Sequence, residues 1–302
     1  MYDIIGDIHG YCSRLEELLI KMKYEKKNGV WKHTERKAIF VGDYIDRGPE
    51  IRETLHLVRN MVEAGAAIAL MGNHEYNALA YHTPVGNGGY LRKHISDKTN
   101  QHSATLAQFY FYREEWDSFL AWFRQLPLFY ENESIRCVHA CWDQQHIDWL
   151  RENNYYTMTD QLLFDSHINN SKAYTVIEET LKGKEFDIPE KYKWYDKDGH
   201  PRTSNRIKWW VPPHTAKCGE FLFDCPQKMK AKKKEIRKLK VNIYPADAPP
   251  VFFGHYWLED KFPVIQAANV ICLDYSVAKK GSLVAYRWSG EKNIDNKNFV
   301  AV

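Results

Sequence analysis

The sequence predicts an α/β fold, because short apolar runs alternate with stretches of helical apolar spacing over the first 75 residues. Each of three apolar runs ends at a glycine (Gly6, Gly42 and Gly72), and helical spacing follows the first two runs. This order is typical of βαβ units built around a sheet. Hydrophobic residues make up 44% of the chain and charged residues 27%, which argues against a disordered or fibrous protein.

The first unit is predicted to be a strand at Ile4-Ile5 followed by an amphipathic helix. Ser13 stands three residues before Glu16, which is the spacing of a capping box at a helix N-terminus. Apolar residues then recur at i, i+3, i+4 and i+7, namely Leu15, Leu18, Leu19 and Met22. We therefore expect a helix that begins near Ser13 and packs one face on the sheet.

The later elements follow from the same signals. A second strand is predicted over 38–41, a helix from Pro49 to about Val62, and a third strand over 66–71. Residues 105–125 have the pattern of one aromatic-rich helix. Further strands are predicted at 134–138, 251–253, 270–273 and 283–286, with a turn at 279–281 before the last of them.

The segment 143–249 differs in character from both flanks, so we predict a single domain over 1–302 with a cap or insertion at 143–249. From Lys228 to Lys240 it carries eight Lys or Arg against one Glu, which favours a solvated helical face, with polyanion binding as the alternative. Its aromatic residues favour a small cap core over base stacking. These residues are Tyr192, Trp194, Tyr195, Trp209 and Trp210.

The bulk properties argue against a membrane partner and give no support for nucleic acid as a partner. The net charge of +3 does not point to nucleic acid. No apolar stretch approaches about 18 residues and no signal-peptide pattern is present, so we expect a cytoplasmic protein without a membrane partner. The six cysteines include no C-x-x-C pair, which indicates reduced thiols; Cys137 and Cys141 are expected to be buried apolar residues.

Five polar clusters each come directly after a predicted strand. Strand ends at one edge of an α/β sheet usually share a crevice, so the five clusters are expected to form one site. Glycines before Asp43, Asn73 and His255 would permit close approach of the backbone. The clusters are Asp7-Ile8-His9, residues 42–48 (GDYIDRG), residues 72–75 (GNHE), Val138-His139-Ala140 and residues 254–257 (GHYW).

The clusters contain oxygen and imidazole donors without a thiolate, which suits Mn²⁺, Fe²⁺ or Zn²⁺. The six candidate ligands exceed what one ion with an open position for water needs, so we predict two divalent ions, with Mn²⁺ as first choice. Two such ions lower the pKa of a bridging water and clamp the attacking and leaving oxygens of an in-line displacement. The candidates are Asp7, His9, Asp43, Asn73, His139 and His255.

The ordered motifs D-x-H, G-D-x-x-D-R-G, G-N-H-E, V-H-A and G-H-x-W, between residues 7 and 257, resemble the calcineurin-like metallophosphoesterases. The resemblance is to the PPP-type branch, which holds the serine/threonine phosphatases and the bacterial symmetrical diadenosine tetraphosphatases. It implies a four-layer αββα sandwich of two mixed β-sheets flanked by helices. Many relatives outside this branch read G-H-x-H, and Trp257 at that last position implies fewer protein ligands for the first metal.

The resemblance also implies a role for each motif residue. Asp7 and His9 would bind one metal, Asp43 would bridge, and the other metal would be bound by Asn73, His139 and His255. His74 would protonate the leaving oxygen and Asp46 would orient His74. Arg47 would grip the phosphate, since an Arg guanidinium matches the geometry of phosphate oxygens. Apart from the resemblance, two anionic oxygens remain after Arg47, so Arg202 and Arg206 are candidates for a second phosphate clamp. The predicted substrate-binding residues are Arg47, Asn73 and Arg206.

The predicted activity is dinuclear-metal-dependent hydrolysis of a phosphomonoester, such as phosphoserine or phosphothreonine in a protein. A metal-bridging hydroxide would attack phosphorus in line, with His74 as general acid. Asp46 and Glu75 favour this interpretation. Tetraphosphatases often lack the Asp at the position of Asp46, and they often read G-N-H-D, with Asp at the position of Glu75. The alternatives are a dinucleoside tetraphosphate or nucleic-acid phosphate as substrate and, less favoured because the residue set is complete, an inactive binding scaffold. The remaining histidines are expected to be structural.

Overall fold

The computed structural model describes residues 1–86, 88–195 and 201–302, and the side chains of Tyr195, Pro201 and Arg202 lie outside the described part. Its helices are α1 (Cys12–Lys21), α2 (Ile51–Glu63), α3 (Asn73–His82), α4 (Ser96–Gln108), α5 (Arg113–Phe123), α6 (Gln144–Glu152), α7 (Asp160–Asp165), α8 (Lys172–Lys182) and α9 (Cys218–Phe221).

The strands are β1 (Tyr2–Ile5), β2 (Glu25–Lys27), β3 (Val30–Lys32), β4 (Lys37–Phe40), β5 (Ala67–Ala69), β6 (Pro84–Val85), β7 (Gly89–Tyr90), β8 (Phe129–Glu131), β9 (Arg136–Val138), β10 (Glu185–Asp187), β11 (Trp194–Tyr195), β12 (Pro201–Arg202), β13 (Ser204–Arg206), β14 (Val251–Phe253), β15 (Val270–Cys272), β16 (Asp274–Tyr275), β17 (Ser282–Trp288) and β18 (Phe299–Ala301).

Two mixed sheets form the centre of the fold. The first has the order β16-β17-β1-β4-β5, with β18 paired to β17. In it β1, β4 and β5 run parallel, whereas β17 is antiparallel to β1, with Ile4 opposite Tyr286. The second sheet has the order β15-β14-β9-β8, and only β8 is antiparallel to its neighbour.

The two sheets pack face to face over a shared apolar layer. Side chains alternate between the two faces of a strand, so Ile4 points into this layer while Ile5 joins the other core cluster, which includes α1 and α2. The layer between the sheets draws on both of them and includes Ile4, Ile39, Leu70, Ile135, Phe252, Ile271 and Tyr286. The predicted α/β sandwich of two mixed sheets flanked by helices is therefore confirmed.

The predicted capping box at α1 is wrong. The helix begins at Cys12, so Ser13 already lies in the first turn. Its backbone N–H donates to Glu50 Oε2 at 2.7 Å, and its hydroxyl donates to the other oxygen of the same carboxylate. A carboxylate from the loop before α2 thus caps the helix, because it satisfies a free N–H of the first turn and suits the positive end of the helix dipole.

The single helix predicted over 105–125 is instead two helices, α4 and α5, separated at residues 109–112. The Gln108 side chain ends α4 against the start of α2, where it accepts from Ile51 N at 2.7 Å and donates to Gly48 O at 3.0 Å. The guanidinium of Arg52 lies 3.5 Å from the ring centre of Tyr112. These contacts with α2 and the preceding loop override the local helical pattern.

The basic run 228–240 forms turns and not the predicted helical face. Its eight cationic side chains are exposed, as expected, while Met229 and Ile236 are buried and anchor the turns. Repulsion between close positive charges disfavours a helix that has so little apolar surface to bury. No helix among the described residues is long and apolar enough to span a bilayer.

The aromatic residues of the cap segment are chiefly core residues, as predicted. Trp209 is fully buried and Trp210 nearly so, and both rings lie against Phe253 at centroid distances of 5.1 and 5.4 Å. Tyr192 and Trp194 are partly buried against the same core. Cys137 and Cys141 are buried free thiols, which confirms their prediction as small apolar residues.

Candidate functional site

The five motif clusters lie at the carboxyl ends of strands from both sheets. Asp7, Asp43 and Asn73 follow β1, β4 and β5, while His139 and His255 follow β9 and β14. All six candidate ligands, including His9, are between 0% and 8% exposed. The structure thus brings together every residue that the sequence predicts as a ligand; their role as ligands stays a prediction.

Asp43 lies at the centre of this cluster. One of its oxygens is 3.7 Å from His9 Nε2 and the other is 3.3 Å from His139 Nε2. Two groups of possible ligand atoms share Asp43: one with His9 and His74, the other with His139 and His255. Within each group the atoms lie within 4.8 Å of one another, so the geometry fits two neighbouring cations joined by one carboxylate.

Hydrogen bonds fix the orientation of two of the candidate histidine rings. His9 Nδ1 donates to Ile45 O at 3.1 Å, and His139 Nδ1 donates to Val41 O at 2.8 Å. Metal-binding histidines usually donate the N–H of the other ring nitrogen in this way. The Nε2 lone pairs of both rings are thereby directed toward Asp43.

Several buried atoms of the cluster have no hydrogen-bond partner among the described residues. They are Asp7 Oδ1, His9 Nε2 and His255 Nε2. Buried polar atoms in folded proteins nearly always have a partner. Three such atoms in one cluster of carboxylate and imidazole donors fit divalent cations, which these donors bind well.

Two glycines make the close approach of the clusters possible. A Cβ atom on Gly254 would lie 1.9 Å from Asp7 Oδ1, and one on Gly72 would lie 2.3 Å from Asp43 Oδ1. The predicted need for glycine before Asn73 and His255 is therefore confirmed.

Backbone strain is concentrated in the same loops. Five non-glycine residues there have positive φ angles between 51° and 83°, which cost free energy and cluster at functional sites. They are His9, Asp43, Asp46, His255 and Trp257.

Glu75 joins the loops after β4 and β5. Its carboxylate accepts backbone N–H bonds from Gly72 and Asp43 at 3.0 Å and from Tyr44 at 2.8 Å. Burial and the nearby Asp43 carboxylate raise the pKa of Glu75 to about 7. The three N–H donors oppose this rise because they stabilise the ionised carboxylate. Glu75 therefore holds the Asp43 loop in position.

We expect Glu75→Gln to lower the free energy of unfolding by about 1–3 kcal/mol, because its amide NH₂ would face one of the N–H donors and leave it unpaired. Denaturant unfolding of the purified variant measures the change. The matched control is Glu63→Gln, since Glu63 is exposed and paired only with Arg59. Equal unfolding free energies for the two variants would contradict the positioning role of Glu75.

The predicted acid pair has hydrogen-bonding geometry. His74 Nδ1 lies 2.7 Å from Asp46 Oδ2. Burial would lower the pKa of His74, but the charges of Asp43 and Asp46 raise it to about 9. Burial would also raise the pKa of Asp46, but hydrogen bonds from His102 and His74 hold it well below its usual range. The Asp46 carboxylate is therefore ionised and can fix the orientation of the His74 ring.

Trp257 covers one side of the cluster. Its ring centre is 5.3 Å from that of His9 and 4.3 Å from Lys279 Nζ. The exposed guanidinium of Arg47 lies 5.8 Å from the same ring. The indole thus packs beside His9 in a position where it contributes no metal-binding atom.

A cavity of about 180 Å³ opens beside the cluster and carries a positive charge. Arg47, Arg92, Lys98 and Arg206 line it, and none of the four pairs with a carboxylate among the described residues. Arg92 donates to the neutral side chains of Asn77 and Gln101, and Arg206 donates to Lys182 O at 2.8 Å. The one carboxylate in the lining belongs to Asp46, which already faces two histidines.

The structure places Arg206 in this cavity, as the sequence analysis proposes, but it adds residues that the sequence analysis missed. His102 was expected to be structural, whereas its Nδ1 lies 2.6 Å from Asp46 Oδ1. Arg92 and Lys98 were not considered. None of the three belongs to a motif, and the only available signal was the i, i+3 spacing of His102 and Thr105, which places both on one helical face.

Comparisons with known proteins place the chain in a family. Residues 2–256 match the family described as calcineurin-like phosphoesterase. The asymmetrical bis(5'-nucleosyl)-tetraphosphatase PrpE of Oceanobacillus iheyensis is 47% identical over 73 residues, which cover 24% of this chain and 29% of that relative. The chain therefore matches less than a third of that relative's length.

Two other proteins are similar over more of the chain. The symmetrical bis(5'-nucleosyl)-tetraphosphatase of Vibrio vulnificus is 23% identical, with 97% of each chain covered. A protein serine/threonine phosphatase of Saccharomyces cerevisiae is 12% identical with a TM-score of 0.48, covering 100% of this chain and 78% of that one. Because the family match covers most of the chain, the protein belongs to the calcineurin-like phosphoesterases.

Proposed function

We propose that this protein is a phosphoester hydrolase, and specifically a phosphomonoesterase that acts on esters with a poor leaving group, such as phosphoserine or phosphothreonine in a protein. The observation that carries the proposal is the His74–Asp46 pair at 2.7 Å. An alkoxide needs a proton as it leaves, and a positioned general acid supplies one. A phosphate or nucleotide released from an anhydride is a much weaker base and gains less from such an acid.

We propose that Asp7 and His9 hold one divalent ion, that Asn73, His139 and His255 hold a second, and that Asp43 binds both. The donor set suits Mn²⁺, with Fe²⁺ and Zn²⁺ as alternatives. Bound ions would supply a nucleophilic water at neutral pH and charge stabilisation for the phosphoryl group. The orphaned atoms Asp7 Oδ1, His9 Nε2 and His255 Nε2 support this assignment.

The remaining roles fall to side chains at the cavity. Arg47 would hold the phosphoryl oxygens through its planar guanidinium, with Asn73 and Arg206 beside it. Asp46 holds Nδ1 of His74, so the ring would present the Nε2 proton to the leaving oxygen. Segment 143–249 would act as a cap within one domain: it carries Arg206, and the indole of Trp209 donates to Ala140 O at 3.1 Å beside the His139 motif.

The test compares kcat/KM of the Mn²⁺-loaded protein on a phosphoserine peptide and on diadenosine tetraphosphate. We expect the higher value on the peptide. Preference for the dinucleotide would replace the proposal by the second candidate below. If the metal-bound protein turns over neither the peptide nor the dinucleotide, nucleic-acid phosphates become the favoured substrates.

The second candidate is hydrolysis of a dinucleoside polyphosphate, and the cation-lined cavity favours it. Arg92 and Lys98 lie beyond the set that one phosphoryl group needs, and they lack acidic partners among the residues described. Two relatives are named as tetraphosphatases. A polyphosphate would supply further anionic oxygens to this end of the cavity.

Arg92→Ala is expected to raise KM for diadenosine tetraphosphate by about tenfold or more, since a hydrogen bond from a charged group contributes about 1.5–3 kcal/mol. KM for phenyl phosphate should change little, because this substrate is too short to reach Arg92 and the reacting phosphate together. Steady-state kinetics on both substrates measure the effect, with Arg59→Ala as control, since Arg59 lies on α2 and does not line the cavity. An unchanged KM for the dinucleotide would remove the polyphosphate subsite.

A further inference from the structure

We propose that His102 is a positioning residue for the general acid, which acts by clamping the far oxygen of the Asp46 carboxylate. The inference rests on the proposed function, because it assigns His102 to the His74–Asp46 pair. His102 lies on α4, outside every motif of the family resemblance, and does not reach the candidate metal ligands through any hydrogen bond among the described residues.

The Asp46 carboxylate lies between two imidazole rings. Its Oδ2 is 2.7 Å from His74 Nδ1, and its Oδ1 is 2.6 Å from His102 Nδ1. Thr105 Oγ1 also donates to Oδ1 at 2.6 Å and accepts from Asp46 N at 3.1 Å. His102 is 4% exposed and Thr105 is fully buried, so water does not compete freely for these bonds.

This arrangement fixes the χ2 torsion of Asp46, which would otherwise vary widely. Rotation about χ2 of an Asp side chain is broad, so a single partner on Oδ2 would not define the carboxylate plane. Two donors on Oδ1 define it, and they come from one face of α4. The backbone of Asp46 is strained at φ 83°, which shows that surrounding contacts hold this residue in place.

The hydrogen-bond chain continues from Asp46 through His102 to the residues behind its ring. Trp116 Nε1 can only donate, and it lies 3.1 Å from His82 Nε2, so that nitrogen accepts. His82 Nε2 is also 3.3 Å from His102 Nε2. Because the ionised Asp46 carboxylate can only accept, His102 Nδ1 donates its hydrogen to Asp46 Oδ1.

Three elements join in the clamp. α3 carries His74 at its start and His82 at its end, α4 carries His102, and α5 carries Trp116. A shift of α4 would move the Oδ1 partners and turn the Asp46 carboxylate away from His74. The consequence for catalysis is selective: only steps that need a well-placed acid should depend on His102.

The test uses two aryl phosphates with the Mn²⁺-loaded full chain. Phenolate is a poor leaving group that needs protonation, whereas p-nitrophenolate leaves readily without it. We expect His102→Ala to lower kcat on phenyl phosphate by about tenfold or more, which is part of the roughly 10²–10⁴-fold effect of a general acid. On p-nitrophenyl phosphate kcat should change by less than about threefold, and KM should stay unchanged on both.

His102→Asn provides the rescue, because its amide nitrogen can replace Nδ1 as a donor to Asp46. His102→Gln places the amide one bond further away and should not rescue. His94→Ala is the matched histidine control, since His94 stacks on Tyr81 at 3.8 Å without touching Asp46. If thermal unfolding shows that His102→Ala does not fold, the test compares His102→Asn with His102→Gln. We then expect higher kcat on phenyl phosphate for the Asn variant.

Each outcome separates the inference from the proposed function. Equal losses on both esters, or no loss, in His102→Ala would overturn the clamp, provided that His74→Asn still loses phenyl phosphate selectively. Equal activity of the Asn and Gln variants would also overturn it. If wild-type protein turns over neither ester, or His74→Asn loses both equally, the proposed acid chemistry fails, and the inference fails with it.

Discussion

Asp43→Asn is expected to reduce kcat for phosphate-ester hydrolysis by on the order of 10³-fold or more. Asp43 is shared by both groups of possible ligand atoms, so its loss affects both predicted metal positions at once. A catalytic metal stabilises the transition state by several kcal/mol, and each 1.36 kcal/mol corresponds to about tenfold in rate. Steady-state kinetics on p-nitrophenyl phosphate in excess Mn²⁺ measure the loss.

The same variant should bind less metal. Metal analysis of the protein after gel filtration should find fewer ions per chain than in wild type, because an amide oxygen is a neutral and weaker ligand than a carboxylate oxygen. Asp160→Asn is the control, since its carboxylate side chain is 73% exposed on α7. Wild-type metal content and kcat in Asp43→Asn would contradict the bridging role.

His74→Asn is expected to lower kcat on phenyl phosphate by about 10²–10⁴-fold, the usual contribution of a general acid. Asp46 Oδ2 would lose its ring partner, and the leaving oxygen would lose its proposed proton donor. On p-nitrophenyl phosphate the loss should be far smaller because that leaving group departs as the anion. Parallel rate measurements on the two esters give the ratio.

Metal content separates acid loss from damage to the site. His74 lies beside Asn73, so the variant should be analysed for bound Mn²⁺ and is expected to retain the wild-type amount. His33→Asn is the control, because His33 lies against Tyr24, away from the cluster. A similar loss on both esters with intact metal content would rule out His74 as the acid.

Much of the site could be predicted because its residues follow strand ends within short motifs. The order of polar residues and glycines around Asp43, Asn73 and His255 reports local turn geometry, which neighbouring sequence largely determines. Asp7 and His255 were expected to lie in one crevice, and they do so although they follow strands of different sheets. The carboxyl ends of parallel strands lie at one edge of a sheet, which is where α/β proteins usually bind ligands. Little beyond the motifs was therefore needed to predict that these residues lie together.

Residues that depend on distant contacts could not be predicted in this way. His102 matters because α4 packs against the loop that carries Asp46, and no local pattern marks that contact. The cap of α1 fails for a similar reason: Glu50, 37 residues away from Ser13, replaced the local capping box. The cationic side chains of the basic run 228–240 are exposed as predicted, but the run does not form a helix. A helix there would bury too little apolar surface to be stable.

The position of β1 has a consequence for how the chain reaches its native state. One side of β1 pairs with β4, which follows it closely in the sequence. The other side pairs with β17, in which Ala285 lies opposite Ile5 about 280 residues later. At about 5–20 residues per second of synthesis, that edge stays open for about 15–60 s on the ribosome. An unpaired apolar edge can template aggregation, so we expect productive folding of this protein to depend on protection of β1 until β17 emerges.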